Sequence, residues 1–125
     1  MARIIGLGGL FWKSADPKKT YEWYAQNVGL EAHPKAGAML PWREPETGAE
    51  HMTIWSVFPE TSGYIAGGKQ FMMNFIVDDL DGMLAKLEAA GVQVDPKRDD
   101  YEYGKFGWFT DCDGNRVELW EPPKE

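Results

Sequence analysis

Residues 113–120 (DGNRVELW) decide the fold, because they join a tight turn to a strand whose two faces differ. Asp113-Gly114-Asn115 is typical of a hairpin turn, since these residues accept the backbone angles that such turns require. Side chains then alternate between the two faces of the strand. The apolar face holds Val117 and Leu119, and the mixed face holds Arg116, Glu118 and Trp120. A carboxylate between a guanidinium and an indole predicts that the mixed face lines a pocket.

The strand and helix pattern that precedes this stretch occurs twice. An apolar strand at residues 4–12 leads to Asp16-Pro17, a good helix start, and the helix runs to Gly29. A second apolar strand at residues 71–77 leads to Asp78-Asp79 and a helix that ends at Gly91. Equivalent positions are 62 to 65 residues apart: Asp16 and Asp79, Gly29 and Gly91, Trp55 and Trp120. We predict a duplicated strand-helix-strands unit of the α+β class.

One domain over residues 1–125 is expected from the length of the chain. The first module covers residues 1–60 and the second residues 70–125. The linker, residues 59–69, contains Gly63, Gly67 and Gly68 and has no apolar period of its own. The alternative is a generic α+β sandwich in which the repeat is chance, since Asp before a helix and Gly after one are common.

Composition excludes several classes of function. The 13 basic and 20 acidic residues give a net charge of −7, the wrong sign for a protein that neutralises nucleic-acid phosphates. No apolar run of about 18 residues is present, so we expect no membrane span and a cytoplasmic protein. Cys112 is the single cysteine, and its neighbours Asp111 and Asp113 disfavour the thiolate that a nucleophile requires.

The strand at residues 71–77 is apolar on both of its faces, which predicts that both are covered. One cover is the helix that follows the strand. The other must accommodate Asn74, because a buried amide needs hydrogen-bond partners. A ligand-holding concavity fits this requirement.

Residues 113–120 resemble the closing motif of the vicinal oxygen chelate superfamily, which includes glyoxalase I, extradiol dioxygenases, fosfomycin-resistance enzymes and bleomycin-binding proteins. Asp16-Pro17, Trp23-Tyr24 and Gly29-Leu30 resemble the first helix of the same family. The resemblance implies two βαβββ modules whose mixed sheet curls into an open cup. It also implies a homodimer, because family members often pair modules across two chains.

Metal-dependent members of the family hold a divalent ion with His or Gln on the first strand of each module and Glu on the last. The matching positions here are Gly9, Thr53, Met72 and Glu118, so only Glu118 keeps the ligand. Gly has no donor and Met is a soft one, so we expect no metal and no cofactor. A substitute divalent site made by His51 and Glu118 is the alternative.

The cup predicted in this way has apolar walls and a few polar groups, as small-molecule pockets do. Its walls are Phe11, Trp55, Met72, Ile76 and Trp120, and its polar groups are His51, Thr53, Asn74, Arg116 and Glu118. Tyr103 is expected to close over it from residues 99–106. Glu118 is the catalytic candidate, since apolar surroundings raise the pKa of a carboxyl unless Arg116 offsets the effect. Trp23 is expected to pack in the core.

Three functions stay open at this point. The first is a small-molecule-binding protein with an aromatic, metal-free cup. The second is a lyase, isomerase or dioxygenase-like enzyme that uses Glu118 as a base or as the ligand of an altered metal site. The third is a regulatory module whose cup is filled by its own side chains or by a partner.

Overall fold

The computed structural model describes residues 2–33, 35–66 and 68–124. Within these residues the elements follow one another as β1 (Ile4–Ser14), α1 (Pro17–Val28), β2 (Ala38–Arg43), β3 (Glu50–Pro59), β4 (Phe71–Val77), α2 (Leu80–Ala89), β5 (Asp99–Tyr101), β6 (Gly104–Thr110) and β7 (Arg116–Glu121).

Both helices begin where the sequence predicts them. The Asp16 carboxylate accepts a hydrogen bond from the Lys19 backbone N–H at 3.3 Å, and Pro17 is the first residue of α1. The Asp79 carboxylate accepts from the Gly82 N–H at 3.0 Å and starts α2. Gly29 caps the end of α1 at φ 71°, a left-handed conformation that favours glycine.

The strands form one mixed sheet in the order β2-β3-β1-β4-β7-β6-β5. The antiparallel pair β1–β4 lies at its centre, with β3 parallel to β1 on one side and β7 parallel to β4 on the other. The sheet is therefore nearly symmetric about β1–β4, and the α+β class is confirmed. After α1 the resemblance implies three strands, whereas the structure has β2 and β3 preceded by the isolated bridge His33–Gly37.

The core consists of three apolar clusters on the two faces of the sheet. Under α2 lie Val77, Leu80, Met83, Leu84 and Leu119. Under α1 lie Ala38, Trp55 and Val57, with Tyr21 and Tyr24 packed against them. The third cluster is on the face away from α2 and contains Phe11, Ile65, Met72 and Trp108. Ile65 comes from the predicted linker, so this part of the linker belongs to the core as well as joining the two modules.

Trp23 differs from its expectation, since 55% of its surface is exposed on α1. The helix turns Tyr21 and Tyr24 toward the sheet, and Trp23 lies to one side of that contact. Cys112 is exposed in the turn before β7. No helix in the described ranges is long and apolar enough to cross a membrane.

Candidate functional site

Glu118 is a buried carboxyl group on the face of the sheet away from α2. Strand pairing places it beside Asn74, and only 3% of its surface is exposed. Its carboxyl accepts hydrogen bonds from the Asn74 amide at 2.5 Å and from the Trp108 indole N–H at 3.0 Å. The Tyr64 hydroxyl donates a third hydrogen bond to it. Three strands and the linker thus converge on one carboxyl group.

Burial raises the pKa of Glu118 to about 8. Loss of hydration destabilises the ionised carboxylate, while hydrogen bonds from three donors stabilise it. The loss of hydration is the larger effect, so the carboxyl is largely protonated at neutral pH. A carboxyl that titrates near neutrality has the proton affinity of a general acid or base.

Tyr64 and Ile65 cover Glu118 and fill the inner part of the predicted cup. Ile65 is 1% exposed and packs among Phe11, Met72 and Trp108. The Tyr64 ring stacks on Phe58, with ring centroids 5.7 Å apart and planes 10° from parallel. We call the space around Glu118 that Tyr64 and Ile65 occupy the inner pocket.

Arg116 holds Tyr64 and does not pair with Glu118. Its guanidinium donates to the Tyr64 carbonyl oxygen at 3.4 Å and to the Asp95 carboxylate at 3.4 Å. The guanidinium carbon lies 5.0 Å from the centre of the Trp108 ring. The pKa of Asp95 is lowered by the Lys97 backbone N–H first and by Arg116 in addition. Arg116 therefore pairs with Asp95 and does not offset the effect of burial on the pKa of Glu118.

An open cavity of about 710 Å³ lies at the end of the sheet where β4 and β7 finish and β2 turns into β3. We call it the open cavity. Its walls include Trp42, His51, Met52, Ile76, Trp120 and Pro122. Arg43, Glu50 and Lys124 also line it and bring charges of both signs. Most of its walls are aromatic or aliphatic side chains, and charged or polar side chains line it at a few points.

Trp42 and His51 are fixed against each other in the wall of the open cavity. Their ring centroids are 4.9 Å apart, and His51 Nε2 is 2.8 Å from a Glu44 carboxylate oxygen. The Trp42 ring rests on Gly6, where an added Cβ would lie 2.5 Å from it. The Trp42 indole nitrogen is buried and has no hydrogen-bond partner within the described ranges. A buried N–H group without an acceptor is unusual and destabilises the folded chain.

The structure divides the predicted site residues into two groups within the cup. His51 and Trp120 line the open cavity. Phe11, Asn74 and Arg116 lie around the inner pocket with Glu118.

The other three predicted ligand-binding residues lie away from both spaces. Trp55 packs under α1 against Tyr24, with ring centroids 4.7 Å apart. The Thr53 hydroxyl donates to the Leu7 carbonyl oxygen at 2.6 Å. Tyr103 is exposed and stacks on Tyr101. A role in ligand binding stays a prediction for these residues, but the structure does not bring them to the cup.

The residues at the family's metal position do not fit a divalent ion. Gly9, Thr53 and Met72 supply no strong donor, and the groups that face the Glu118 carboxyl are N–H and O–H donors. His51 is engaged with Glu44, so it does not meet Glu118 as the alternative site would require. Across the part of the chain that the structure describes, no group of three or more His, Cys, Asp or Glu could hold a metal ion.

Sequence reasoning missed Trp42, Tyr64, Ile65 and Trp108. Tyr64-Ile65 is the single pair of adjacent large apolar residues in the linker, and that pair was the available signal. Trp108 faces Glu118 across the β6–β7 pair, so it would follow from correct register.

Residues 14–119 match the sequence model of the Glyoxalase/Bleomycin resistance protein/Dioxygenase superfamily. The chain belongs to this superfamily. Among curated protein sequences, no significant match is found.

Solved structures of the superfamily's fold are similar over nearly the whole chain. A variant of Streptomyces coelicolor methylmalonyl-CoA epimerase, in complex with 2-nitronate-propionyl-CoA, has a TM-score of 0.72 and 18% identity, covering 98% of this chain and 100% of that one. Methylmalonyl-CoA epimerase from Mycobacterium tuberculosis has a TM-score of 0.59 and 19% identity, covering 97% and 90%. A Legionella pneumophila structure described as NAD-dependent benzaldehyde dehydrogenase has a TM-score of 0.60 and 13% identity, covering 92% and 98%. At these identities the superfamily fold is what the similarity shows.

Proposed function

We propose that this chain is a metal-free small-molecule-binding protein whose ligand occupies the open cavity. The observation that carries the proposal is the cavity of about 710 Å³ walled by Trp42, His51 and Trp120. Pockets for small ligands span roughly 300–1,000 Å³ and combine apolar walls with a few polar groups. The open cavity meets both conditions.

The walls favour a planar aromatic ligand. Two indoles and Pro122 offer flat apolar surfaces against which a ring packs well. Arg43 and Glu50 pair with each other, so their two charges largely offset each other in the cavity lining.

Replacing Trp42 by phenylalanine is expected to weaken binding of the best ligand from a panel of planar aromatic compounds by about tenfold. The substitution removes indole surface from the wall of the open cavity. Titration by calorimetry, with and without EDTA, measures the effect, and EDTA is expected to leave the affinity unchanged. Trp23→Phe is the control, because Trp23 lies exposed on α1. Equal weakening in both variants, or a loss of binding in EDTA, would contradict the proposal.

A second candidate is an isomerase that moves a proton with Glu118. Its support is the pKa of about 8 at this carboxyl, together with the similarity in fold to epimerases. The Tyr64 side chain would have to leave Glu118 for a substrate to reach it. An acyl-CoA incubated with the protein in D₂O would then exchange its α-proton, and the Glu118→Gln variant would not catalyse this exchange.

We expect the protein to form a homodimer through an apolar patch at the centre of the sheet. The patch consists of Leu7, Leu10, Phe71 and Met73 on the adjacent strands β1 and β4. Phe71 is 53% exposed and Met73 is 36% exposed. Contiguous exposed apolar surface of this kind marks sites of association.

Replacing Phe71 by glutamate is expected to convert the dimer to a monomer, because it places a charge in the apolar patch. Sedimentation velocity measures the change in mass. Tyr103→Glu is the control, since Tyr103 is equally exposed but lies near β5 and β6. A native chain that sediments as a monomer would refute the dimer.

A further inference from the structure

Tyr64 occupies the inner pocket in the way that a bound phenol would. Its ring stacks on Phe58 and lies 6.5 Å from the Phe11 ring, measured between centroids. The Arg116 guanidinium carbon is 5.6 Å from the centre of the same ring. Its hydroxyl donates to Glu118. Each of these contacts is made to the side chain, so any hydroxylated aromatic ring of similar size could make them.

The walls of this pocket belong to the sheet, whereas its occupant lies on a segment outside the sheet. Phe11, Met72, Trp108 and Glu118 lie on β1, β4, β6 and β7, which are joined through the sheet. Tyr64 lies outside any helix or strand. The Glu60 N–H bonds to Ser14 on β1, and the Arg116 side chain donates to the Tyr64 carbonyl oxygen, while the Ser62 and Lys69 N–H groups make local bonds. Segments outside a sheet generally open at a smaller free energy than its central strands do.

A second cavity lies beside the inner pocket. It has a volume of about 480 Å³ and shares Trp108 and Arg116 with the surroundings of Tyr64. Ala66, the residue after Ile65, is part of its wall. A small molecule in this cavity therefore lies next to the segment that would have to move.

We propose that the inner pocket is a second ligand site, for a hydroxylated aromatic ring, which Tyr64 fills until such a ring displaces it. The ligand hydroxyl takes the place of the Tyr64 hydroxyl at Glu118, while Asn74 and Trp108 keep the carboxyl in position. The ring takes the place of the Tyr64 ring against Phe58. The native chain binds such a ligand more weakly than a chain without the Tyr64 ring, because displacement lowers the apparent affinity.

The test compares p-cresol, which has the side-chain chemistry of tyrosine, with toluene, which lacks the hydroxyl. Binding is followed through the indole N–H signals of Trp108 and Trp42 in ¹H–¹⁵N NMR spectra. The native chain is expected to bind p-cresol with a shift at Trp108. Tyr64→Ala is expected to bind p-cresol at least about tenfold more tightly than the native chain does. The same variant is expected to bind toluene about tenfold more weakly than it binds p-cresol.

Two outcomes would overturn the proposal. If only Tyr64→Ala binds p-cresol, the substitution has created a cavity and the native chain has no site there. If toluene binds as tightly as p-cresol, Glu118 does not recognise the hydroxyl. Should Tyr64→Ala not fold, Tyr64→Phe keeps the ring and loses the bond to Glu118, and it must bind p-cresol more tightly than the native chain does.

The result is separable from the binding proposed at the open cavity. Trp42→Phe is expected to leave p-cresol binding at Trp108 unchanged. A ligand of the open cavity is expected to bind equally to the native chain and to Tyr64→Phe. Loss of p-cresol binding in Trp42→Phe would place p-cresol in the open cavity and refute the second site.

Discussion

Replacing Glu118 by glutamine is expected to remove a fall in stability that the native chain shows as pH rises from about 4.5 to about 8. Below this window the carboxyl is protonated in both the folded and the unfolded chain. Within it, the unfolded chain releases the proton while the folded chain keeps it, so the free energy of unfolding decreases. Above about pH 8 both forms are ionised and the decrease ends. Glutamine has a similar shape and does not ionise.

The upper limit of the effect is about 5 kcal/mol, since each tenfold change in proton affinity corresponds to about 1.4 kcal/mol. Urea unfolding at a series of pH values measures it. Glu22→Gln is the matched control, because Glu22 is exposed on α1 and its substitution should leave the pH dependence of the native chain intact. A Glu118→Gln variant with the native pH dependence would show that Glu118 ionises normally in the folded protein.

Replacing Gly8 by alanine is expected to destabilise the fold by about 3 kcal/mol. The added Cβ would lie 2.3 Å from Asn74 Oδ1 and 2.9 Å from Ile76 Cγ1. Asn74 is buried and its amide donates to Glu118, so its side chain cannot move away without disturbing that hydrogen bond. Chemical denaturation measures the change in the free energy of unfolding.

Gly63→Ala is the control for this substitution. A Cβ at Gly63 meets nothing within 4 Å, so the effect on stability should stay within about 0.5 kcal/mol. If Gly8→Ala lowers the free energy of unfolding no more than Gly63→Ala does, then the side chain of Asn74 can accommodate a Cβ at Gly8.

Local signals accounted for the parts of the fold that sequence could predict. Asp16-Pro17 and Asp79 cap helices through their own side chains, and Gly29 ends a helix through its own backbone angle. The alternation along β7 correctly separated Leu119 from Glu118, and the structure has Leu119 under α2 and Glu118 on the opposite face. Each of these features depends on a few consecutive residues.

The misplaced parts depend on how distant segments meet. Alternation groups Thr53 with Trp55 on one face of β3, but it does not tell which face α1 covers, and Trp55 is on the covered face. His51 lies beyond the pairing of β1 with β3, which begins at Ile54, and it reaches the open cavity instead. The insertion of Tyr64 and Ile65 beside Glu118 depends on the path of a segment that has no periodic pattern to read.

Because Tyr64 and Ile65 fill the inner pocket, we expect the linker to tolerate few changes in length or sequence at these positions. A surface connection tolerates changes in length and sequence, but Ile65 is now a core residue and Tyr64 is the partner of a buried carboxyl. Among homologues that keep this arrangement, insertions and deletions should be rarer around residues 64–65 than in the turn between β2 and β3. Lineages that lose the tyrosine should change the residue at position 118 as well, because a buried carboxyl without that donor is costly to keep.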